Sequence, residues 1–307
     1  MVRFSLVFFL LFVFTQSFSQ AWKRQRLEVG GGIGTTNFLG DLGGSASEGG
    51  SYGPKDLNFA ASRYVITATG RYFIRSNMAA RGSLSYARIA GDDADSKNPT
   101  RNSRGLKFRS PVVELAAIYE FYFLTEKTKG MYRLKGSRGL AKLKLDGYLF
   151  AGLGLFYFNP RNEMDGKWHS LQPLGTEGQT AGNGSKYSRI QGSVPLGIGF
   201  RKKIQRQWHL GLEFGVRMTT SDYLDDVSGK YFEQDKIKGA NGDKGDLAAY
   251  LANPNENNNW PSVTYNQDGT ISEFQQRGDP KNNDTYMFAT VTLSYKIKRR
   301  RRSLPKF

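Results

Sequence analysis

Eight segments of the chain alternate apolar and polar side chains with a period of two. They are residues 26–35, 64–74, 80–89, 112–124, 143–158, 194–201, 209–220 and 285–297. A period of two is the repeat of a β-strand that has one apolar face, and about 9–11 residues suffice for a tilted strand to cross a bilayer. The pattern therefore predicts eight strands, each of a length suited to spanning a membrane.

The polar face of these strands carries a balanced set of charges. A barrel in water turns its charges outward, whereas a barrel in a membrane turns them into the lumen. Buried charges without a partner are costly, and eight strands leave an interior that side chains fill. We therefore predict a packed lumen of ion pairs and no open channel. The predicted lumen residues are Glu28, Arg71, Arg81, Glu114, Glu120, Lys144, Asp146, Arg201, Glu213 and Arg217.

Long and short connections alternate between the eight segments. The long ones are residues 36–63, 90–111, 159–193 and 221–284, and the shorter ones are 75–79, 125–142 and 202–208. Barrels of the bacterial outer membrane have long extracellular loops, short periplasmic turns and both termini in the periplasm. The sequence thus predicts an all-β fold, an eight-stranded antiparallel transmembrane β-barrel with short periplasmic turns and long extracellular loops.

The first residues have the features of a cleavable export signal. Arg3 precedes an apolar run over residues 4–14, and Ser17 and Ser19 supply small residues for a peptidase. An apolar run of about 11 residues is too short to cross a bilayer as a helix. We expect a signal peptide at 1–19, a barrel at 20–297 and a basic periplasmic tail at 298–307, and hence a multi-pass outer-membrane location.

The net charge of +17 is concentrated at the predicted periplasmic side. An exported protein does not meet nucleic acid, so the charge indicates lipid phosphates or an acidic protein as its counterpart. Two interpretations stay open: a solvated face against outer-membrane lipid headgroups, or a docking surface for an acidic periplasmic partner. The oligomeric state also stays open. The proposed partner-binding residues are Lys127, Lys129, Arg133, Lys135, Arg138, Arg299, Arg300, Arg301 and Arg302.

The stretch "SDYLDDVSGKY" places three carboxylates where the seventh strand leaves the membrane. Carboxylates are expensive in hydrocarbon and tolerated at the rim, so we predict an extracellular rim network of Asp222, Asp225, Asp226 and Asp41, with Tyr223 in the aromatic girdle. A cation site is the alternative. "GANGDKGD" at 239–246 lacks the spacing of an EF-hand and is predicted to be a mobile loop.

Catalytic signatures are weak. His169 and His209 are the two histidines, cysteine is absent, and no G-x-S-x-G elbow occurs. The glycine-rich residues 30–44 do not have the dinucleotide-binding spacing, and no predicted helix follows them. The sequence therefore predicts a non-enzymatic protein without catalytic, cofactor-binding or metal-binding residues.

Four stretches carry a family resemblance: "TTNFLGDLGG" at 35–44, "LQPLGTEGQ" at 171–179, "SVPLGIGFRKKI" at 193–204 and "RMTTSDYLDDVSGKY" at 217–231. Together they resemble the PorG-like outer-membrane β-barrel proteins of the type IX secretion system. The resemblance implies an anchor or component of that machinery, in contact with a periplasmic ring built from a lipoprotein and its partner. A small binding or transport barrel unrelated to secretion is the alternative function.

Overall fold

The structure, a computed structural model, describes residues 26–42, 61–95, 99–125, 145–255 and 261–298. The predicted signal peptide at 1–19 and all of the predicted tail except Lys298 lie outside these residues. The described strands, in chain order, are β1 Leu27–Leu39, β2 Arg63–Arg75, β3 Met78–Asp92, β4 Lys107–Leu124, β5 Leu145–Phe158, β6 Arg161–Met164, β7 Lys167–Ser170, β8 Ile190–Lys203, β9 Trp208–Thr219, β10 Val263–Tyr265, β11 Ile271–Phe274 and β12 Thr285–Lys296.

Eight of these strands close into an antiparallel barrel. The order around the sheet is β3-β2-β1-β12-β9-β8-β5-β4, and a further pairing of β3 with β4 closes the ring. β1 pairs with the last strand, so that Gly31 lies opposite Leu293 on one side and Ala68 on the other. Each of the eight predicted segments coincides with one barrel strand apart from differences at its ends, and the predicted fold class is confirmed.

Several strands extend beyond the predicted segments, and β1 and β3 show why the ends at the cap were missed. β1 was predicted to end at residue 35 and runs to Leu39, and β3 was predicted to end at residue 89 and runs to Asp92. Consecutive residues are buried in these extensions, from Thr36 to Leu39 in β1. Both faces of the sheet are covered there, so the alternation that marks a strand disappears from the sequence.

The outward face of the barrel is apolar. Ile33, Leu115, Leu153 and Leu212 are 67%, 63%, 72% and 61% exposed, while the residues next to them in sequence point inward. An apolar surface that surrounds a closed barrel is the kind of surface that a barrel presents to lipid. Among the described residues, no helix combines the length and the apolarity that crossing a membrane requires.

The two ends of the barrel differ. At one end, here called the turn end, the strands are joined by residues 76–77, 125–144 and 204–207. At the other, the cap end, residues 40–62, 93–106, 159–189 and 220–284 connect them. The described parts of these four connections form a cap, which contains the hairpin β6–β7, the ribbon β10–β11 and the helices α1 Pro99–Arg104, α2 Gln234–Ala240 and α3 Gly245–Ala252.

The helices of the cap correct one prediction. Residues 239–246 were expected to form a mobile loop, but they contribute to α2, a 3-10 turn and α3. Ile237, Ala248 and Leu251 from these helices pack on Leu171 and Leu174 in a small core of the cap. Helices this short are marginal in isolation and depend on tertiary packing, so a glycine-rich window gave no helical signal.

Candidate functional site

A layer of buried ion pairs fills the turn-end half of the lumen. Arg71 pairs with Glu28 at 2.5 Å and with Glu120 at 2.6 Å. Arg81 pairs with the same Glu120 at 3.0 Å and with Glu213. Each of these side chains is at most about one-tenth exposed. Period-two alternation directs one side chain in two inward, which brings charges from β1, β2, β3, β4 and β9 to one level.

Further ion pairs lie on either side of this layer. Arg201 of β8 pairs with Glu28 at 2.9 Å and with Asp146 at 3.3 Å. Nearer the cap, the Arg217 Nε atom lies 3.6 Å from Glu114. Nine of the ten predicted lumen residues thus lie inside the barrel in ion pairs, and the tenth, Lys144, lies outside the described residues.

Tyrosine hydroxyls complete the coordination of the lumen carboxylates. Tyr122 donates to Glu120 at 2.9 Å, Tyr148 to Glu213 at 2.5 Å and Tyr286 to Glu114 at 2.5 Å. These tyrosines were not among the predicted lumen residues. Their inward register on β4, β5 and β12 was the available signal, because a tyrosine on the polar face of a strand needs a partner for its hydroxyl.

Aromatic side chains pack among the ion pairs at the turn end and above them at the cap end. Phe73, Tyr122, Tyr148 and Phe150 pack together at the turn end. A second cluster at the cap end includes Phe38, Phe108, Phe156, Phe158, Tyr286 and Phe288. Close packing explains one strand glycine, since a Cβ atom on Gly215 would lie 2.7 Å from the Phe150 ring. A cavity of about 20 Å³ beside Arg81 and Arg217 has room for roughly one water molecule.

Arg277 joins two of the cap connections. It is 2% exposed, and its Nη1 donates to Glu177 Oε1 at 3.1 Å and to the main-chain oxygen of Asp226. Glu177 also accepts from the main-chain N–H groups of Ser228 at 2.9 Å and Gly229 at 3.2 Å. One buried guanidinium and one carboxylate therefore help to hold residues 159–189 to residues 220–284.

Arg104 joins the other two connections to the same network. Its guanidinium pairs with Asp93 at 3.0 Å and donates to the main-chain oxygens of Asp41 at 2.9 Å and Arg277 at 2.5 Å. These bonds tie residues 40–42 and 93–106 to Arg277 and hence to the connection 220–284. The four connections at the cap end are thus linked into one body by two buried arginines.

The four aspartates predicted for the rim network all lie in the cap. Asp41 Oδ2 accepts from the main-chain N–H of Asp279 at 2.8 Å, and Asp225 Oδ2 accepts from that of Leu42 at 3.1 Å. The second bond links the chain after β1 to the chain after β9. Asp226 accepts from the hydroxyls of Tyr187, at 2.6 Å, and Thr176, and Asp222 is buried near Ser228.

Other members of the network were not predicted. The predicted position of Tyr223, in the aromatic girdle, was wrong. Glu177, Arg104, Arg277 and Asp284 were not predicted, because nothing in their spacing distinguishes them from other loop residues. The Tyr223 ring stacks on Tyr187 at 4.7 Å within the cap, and its hydroxyl donates to Glu177 at 3.3 Å. It therefore belongs to the cap and not to a lipid-facing girdle.

The cap buries more carboxylates than cations. Burial raises the pKa of Asp222 to about 7, and nearby Asp41 adds to the effect. The pKa of Asp225 and of Asp284 is also raised by burial and by neighbouring aspartates. For Asp226, burial outweighs the attraction of Arg277 and raises the pKa to about 6, and Asp93 beside Arg104 has the same value. Within the described part of the chain, no three acidic or histidine side chains are placed to hold a metal ion.

These shifts predict that the cap becomes less stable as the pH rises from about 4 to about 7. The folded cap binds protons on carboxyls that are ionised in the unfolded chain above a pKa of 3.8, so deprotonation opposes folding in this interval. Asp93 and Asp226 each contribute up to about 1.4 kcal/mol per pH unit until their folded pKa is passed. Hydrogen exchange of the cap amides, corrected for intrinsic rates, should show protection decreasing from pH 5 to pH 7. Protection that increases over this interval would contradict the assignment.

Comparison with known proteins gives one family and several similar structures. A model of the family described as "Domain of unknown function (DUF6089)" matches residues 4–251. None of the curated proteins matches the chain. Solved structures that resemble it include Ail of Yersinia pestis, in complex with the heparin analogue sucrose octasulfate, at 9% identity and a TM-score of 0.37, covering 89% of this chain and 99% of Ail.

Two further solved structures have comparable similarity. Neisserial surface protein A is 11% identical with a TM-score of 0.35, covering 88% of this chain and 97% of that protein. The outer membrane protein OprG from Pseudomonas aeruginosa is 8% identical with a TM-score of 0.36, covering 90% of this chain and 97% of OprG.

Proposed function

The chain belongs to the family described as domain of unknown function DUF6089, and we propose that it is a non-enzymatic scaffold of the bacterial outer membrane. In this proposal the barrel spans the membrane, the cap is extracellular and the turn end is periplasmic. The periplasmic side anchors a ring of the type IX secretion machinery. The observation that carries the proposal is a barrel with an apolar exterior and an interior filled by ion pairs.

The outward side chains support the membrane location. Aromatic residues flank the apolar surface at both ends of the barrel: Tyr64, Tyr86 and Tyr157 towards the cap, and Tyr72, Tyr119 and Trp208 towards the turns, each 39–45% exposed. Rings of tyrosine and tryptophan at two levels are typical of barrels whose apolar band lies in hydrocarbon. The export signal predicted at 1–19 is consistent with the same destination.

The interior supports a scaffold role in preference to transport. The ion pairs of the turn-end half are packed among aromatic side chains, a second aromatic cluster lies nearer the cap, and the cap covers the far end. A substrate path would require the separation of several buried ion pairs, each of which is costly to break. In this proposal the lumen residues stabilise the folded barrel.

The turn end supports a basic docking surface. Lys202, Lys203 and Arg206 are exposed there. The proposed partner-binding lysines and arginines of residues 127–138 and 299–302 lie outside the described residues, and the strands that precede them, β4 and β12, end at the turn end. With the resemblance to PorG-like proteins, this charge favours an acidic partner, for which the ring lipoprotein and its own partner are the candidates.

Affinity capture of the tagged barrel from membranes tests the proposal. One variant lacks residues 303–307 and carries Arg299–302→Gln, and a second carries glutamine at Lys127, Lys129, Arg133, Lys135 and Arg138. We expect the native chain to recover ring components and at least one variant to lose them by about tenfold or more, since several charge-assisted contacts are removed together. Lys236→Gln/Lys244→Gln, on exposed cap positions, is the matched control and should behave as native. Unchanged recovery with both variants would refute the docking role.

A further inference from the structure

A groove with a volume of about 220 Å³ lies at the cap end, against the upper parts of β2, β3 and β4. Its lining includes Arg63, Lys107, Arg109 and Trp168, together with Asp92. Trp168 comes from β7, so the hairpin β6–β7 forms one wall. Three of these five side chains are basic, which makes the groove a candidate for an anionic ligand.

Arg109 is held flat against an aromatic ring. Its guanidinium carbon lies 3.7 Å from the centre of the Trp168 ring, and the Lys107 ammonium lies 5.6 Å from the same centre. Stacking of this kind fixes the guanidinium plane and leaves its N–H groups directed outward at the edges, where they can donate to two oxygens of one ligand. Trp168 thus positions both cations.

The arrangement of charge also favours an anion. Arg161 of β6 lies directly opposite Arg109 of β4, and like charges in this register repel each other. The neighbouring carboxylates do not neutralise them fully: Glu163 lies 3.6 Å from Lys107 in a largely exposed pair, and Asp92 accepts from the main-chain N–H of Ala94 at 2.9 Å. Among the described residues, the cations Lys107, Arg109 and Arg161 thus outnumber the neighbouring carboxylates Asp92 and Glu163.

The groove lies at the level of lipid headgroups. Arg109 shares the outward face of β4 with Val113 and Leu115, and four residues of strand correspond to about 13 Å. Between the apolar band and the groove lie the rings of Tyr64 and Tyr86, 6.2 Å apart, with the Arg88 guanidinium 5.5 Å from the Tyr64 ring. The order along the barrel is hydrocarbon-facing residues, aromatic ring, then cations, which is the order of an interface with charged headgroups.

We propose that this groove binds the phosphate group of a phosphorylated glycolipid in the outer leaflet, with Arg109 and Lys107 as its main ligands. Guanidinium and ammonium groups form short charge-assisted hydrogen bonds to phosphate oxygens. The proposal rests on the membrane location given above, and it is independent of any periplasmic partner.

Native mass spectrometry of the full chain in zwitterionic micelles, titrated with lipid A that carries two phosphates, tests the proposal. We expect R109Q/K107Q to bind this lipid about tenfold or more weakly than the native chain, because two charged donors are lost. The control K236Q/K244Q removes the same charge from exposed positions of the cap and should bind as the native chain does. Dephosphorylated lipid A should bind the native chain as weakly as phosphorylated lipid A binds the variant.

Several outcomes overturn the proposal. Equal affinity of native and variant chains, or of phosphorylated and dephosphorylated lipid, excludes the phosphate site. Inorganic phosphate that binds as tightly as the lipid identifies a site for free anions instead. A chain that does not form a heat-modifiable barrel in micelles contradicts the membrane location and the lipid site together, whereas a folded barrel without phosphate preference contradicts the lipid site alone.

Discussion

Arg277→Ala should open the cap and leave the barrel closed. The substitution removes the cation that lies 3.1 Å from Glu177 and 3.7 Å from Asp226 in a fully buried position. Breaking a buried ion pair from one side costs about 3–5 kcal/mol, since the remaining charge stays desolvated. The cost falls on the cap, because Arg277 contacts residues of the connections 159–189 and 220–284 and none of the lumen ion pairs described above.

Proteolysis with proteinase K measures this effect. If cleavage follows a fast opening equilibrium, a change of 3–5 kcal/mol corresponds to cleavage of the cap that is faster by roughly 10² to 4 × 10³. Residues 159–189 and 220–284 should be cut, while the barrel strands stay protected and heat-modifiable. The control Arg206→Ala removes an exposed arginine from the turn between β8 and β9 and should leave cap cleavage unchanged.

The loss of cap stability in Arg277→Ala should also depend on pH. Without the guanidinium, the pKa of Asp226, which burial already raises to about 6, rises further. Protonation then removes the unpaired charge at acid pH, so the variant should differ less from the native chain at pH 5 than at pH 8. A cap that stays resistant to protease at pH 8 in Arg277→Ala would show that this ion pair does not hold the connections together.

Glu120→Ala should destabilise the barrel itself. Glu120 is 0% exposed, accepts from Arg71 at 2.6 Å and lies 3.0 Å from the guanidinium of Arg81. Its removal leaves two buried guanidinium groups with fewer counterions, and we expect a loss of about 3–5 kcal/mol. The temperature at which the folded barrel converts to the unfolded form on a gel should fall clearly below that of the native chain.

Glu163→Ala is the matched control for this variant. The same residue type is replaced by the same residue, and Glu163 is also ion-paired, but the pair with Lys107 is 35% and 43% exposed on its two sides. Exposed pairs contribute about 0–1 kcal/mol, so the conversion temperature should hardly change. Equal shifts for the two variants would mean that the lumen ion pairs do not support the barrel.

The barrel strands could be predicted from the sequence because the alternation of apolar and polar side chains is a local pattern with a fixed period. Every second residue of Val112–Leu124 faces outward from the barrel, so the apolar positions of that stretch predict the strand directly. The charges on the opposite face, such as Glu120 and Arg71, follow from the same period. Their pairing was expected because an unpaired charge would be costly in the lumen, although the particular partners could not be assigned.

The cap could be predicted only in part, because its order depends on contacts between distant residues. Arg277 and Glu177 are 100 residues apart in sequence and meet through the folding of two connections. "SDYLDDVSGKY" stood out by its composition, and its aspartates do lie in the cap network. The basic partners of that network have no periodicity, and the short helices α2 and α3 are stabilised by packing on Leu171 and Leu174.

The conductance of single barrels in planar bilayers tests most directly whether this protein is a closed scaffold or a pore. The lumen is filled by the ion pairs around Glu120 and by the two aromatic clusters. We expect inserted, heat-modifiable barrels that show no steady conductance. A reproducible conductance of the native chain, changed in size by Glu120→Ala, would contradict this expectation and favour the transport function.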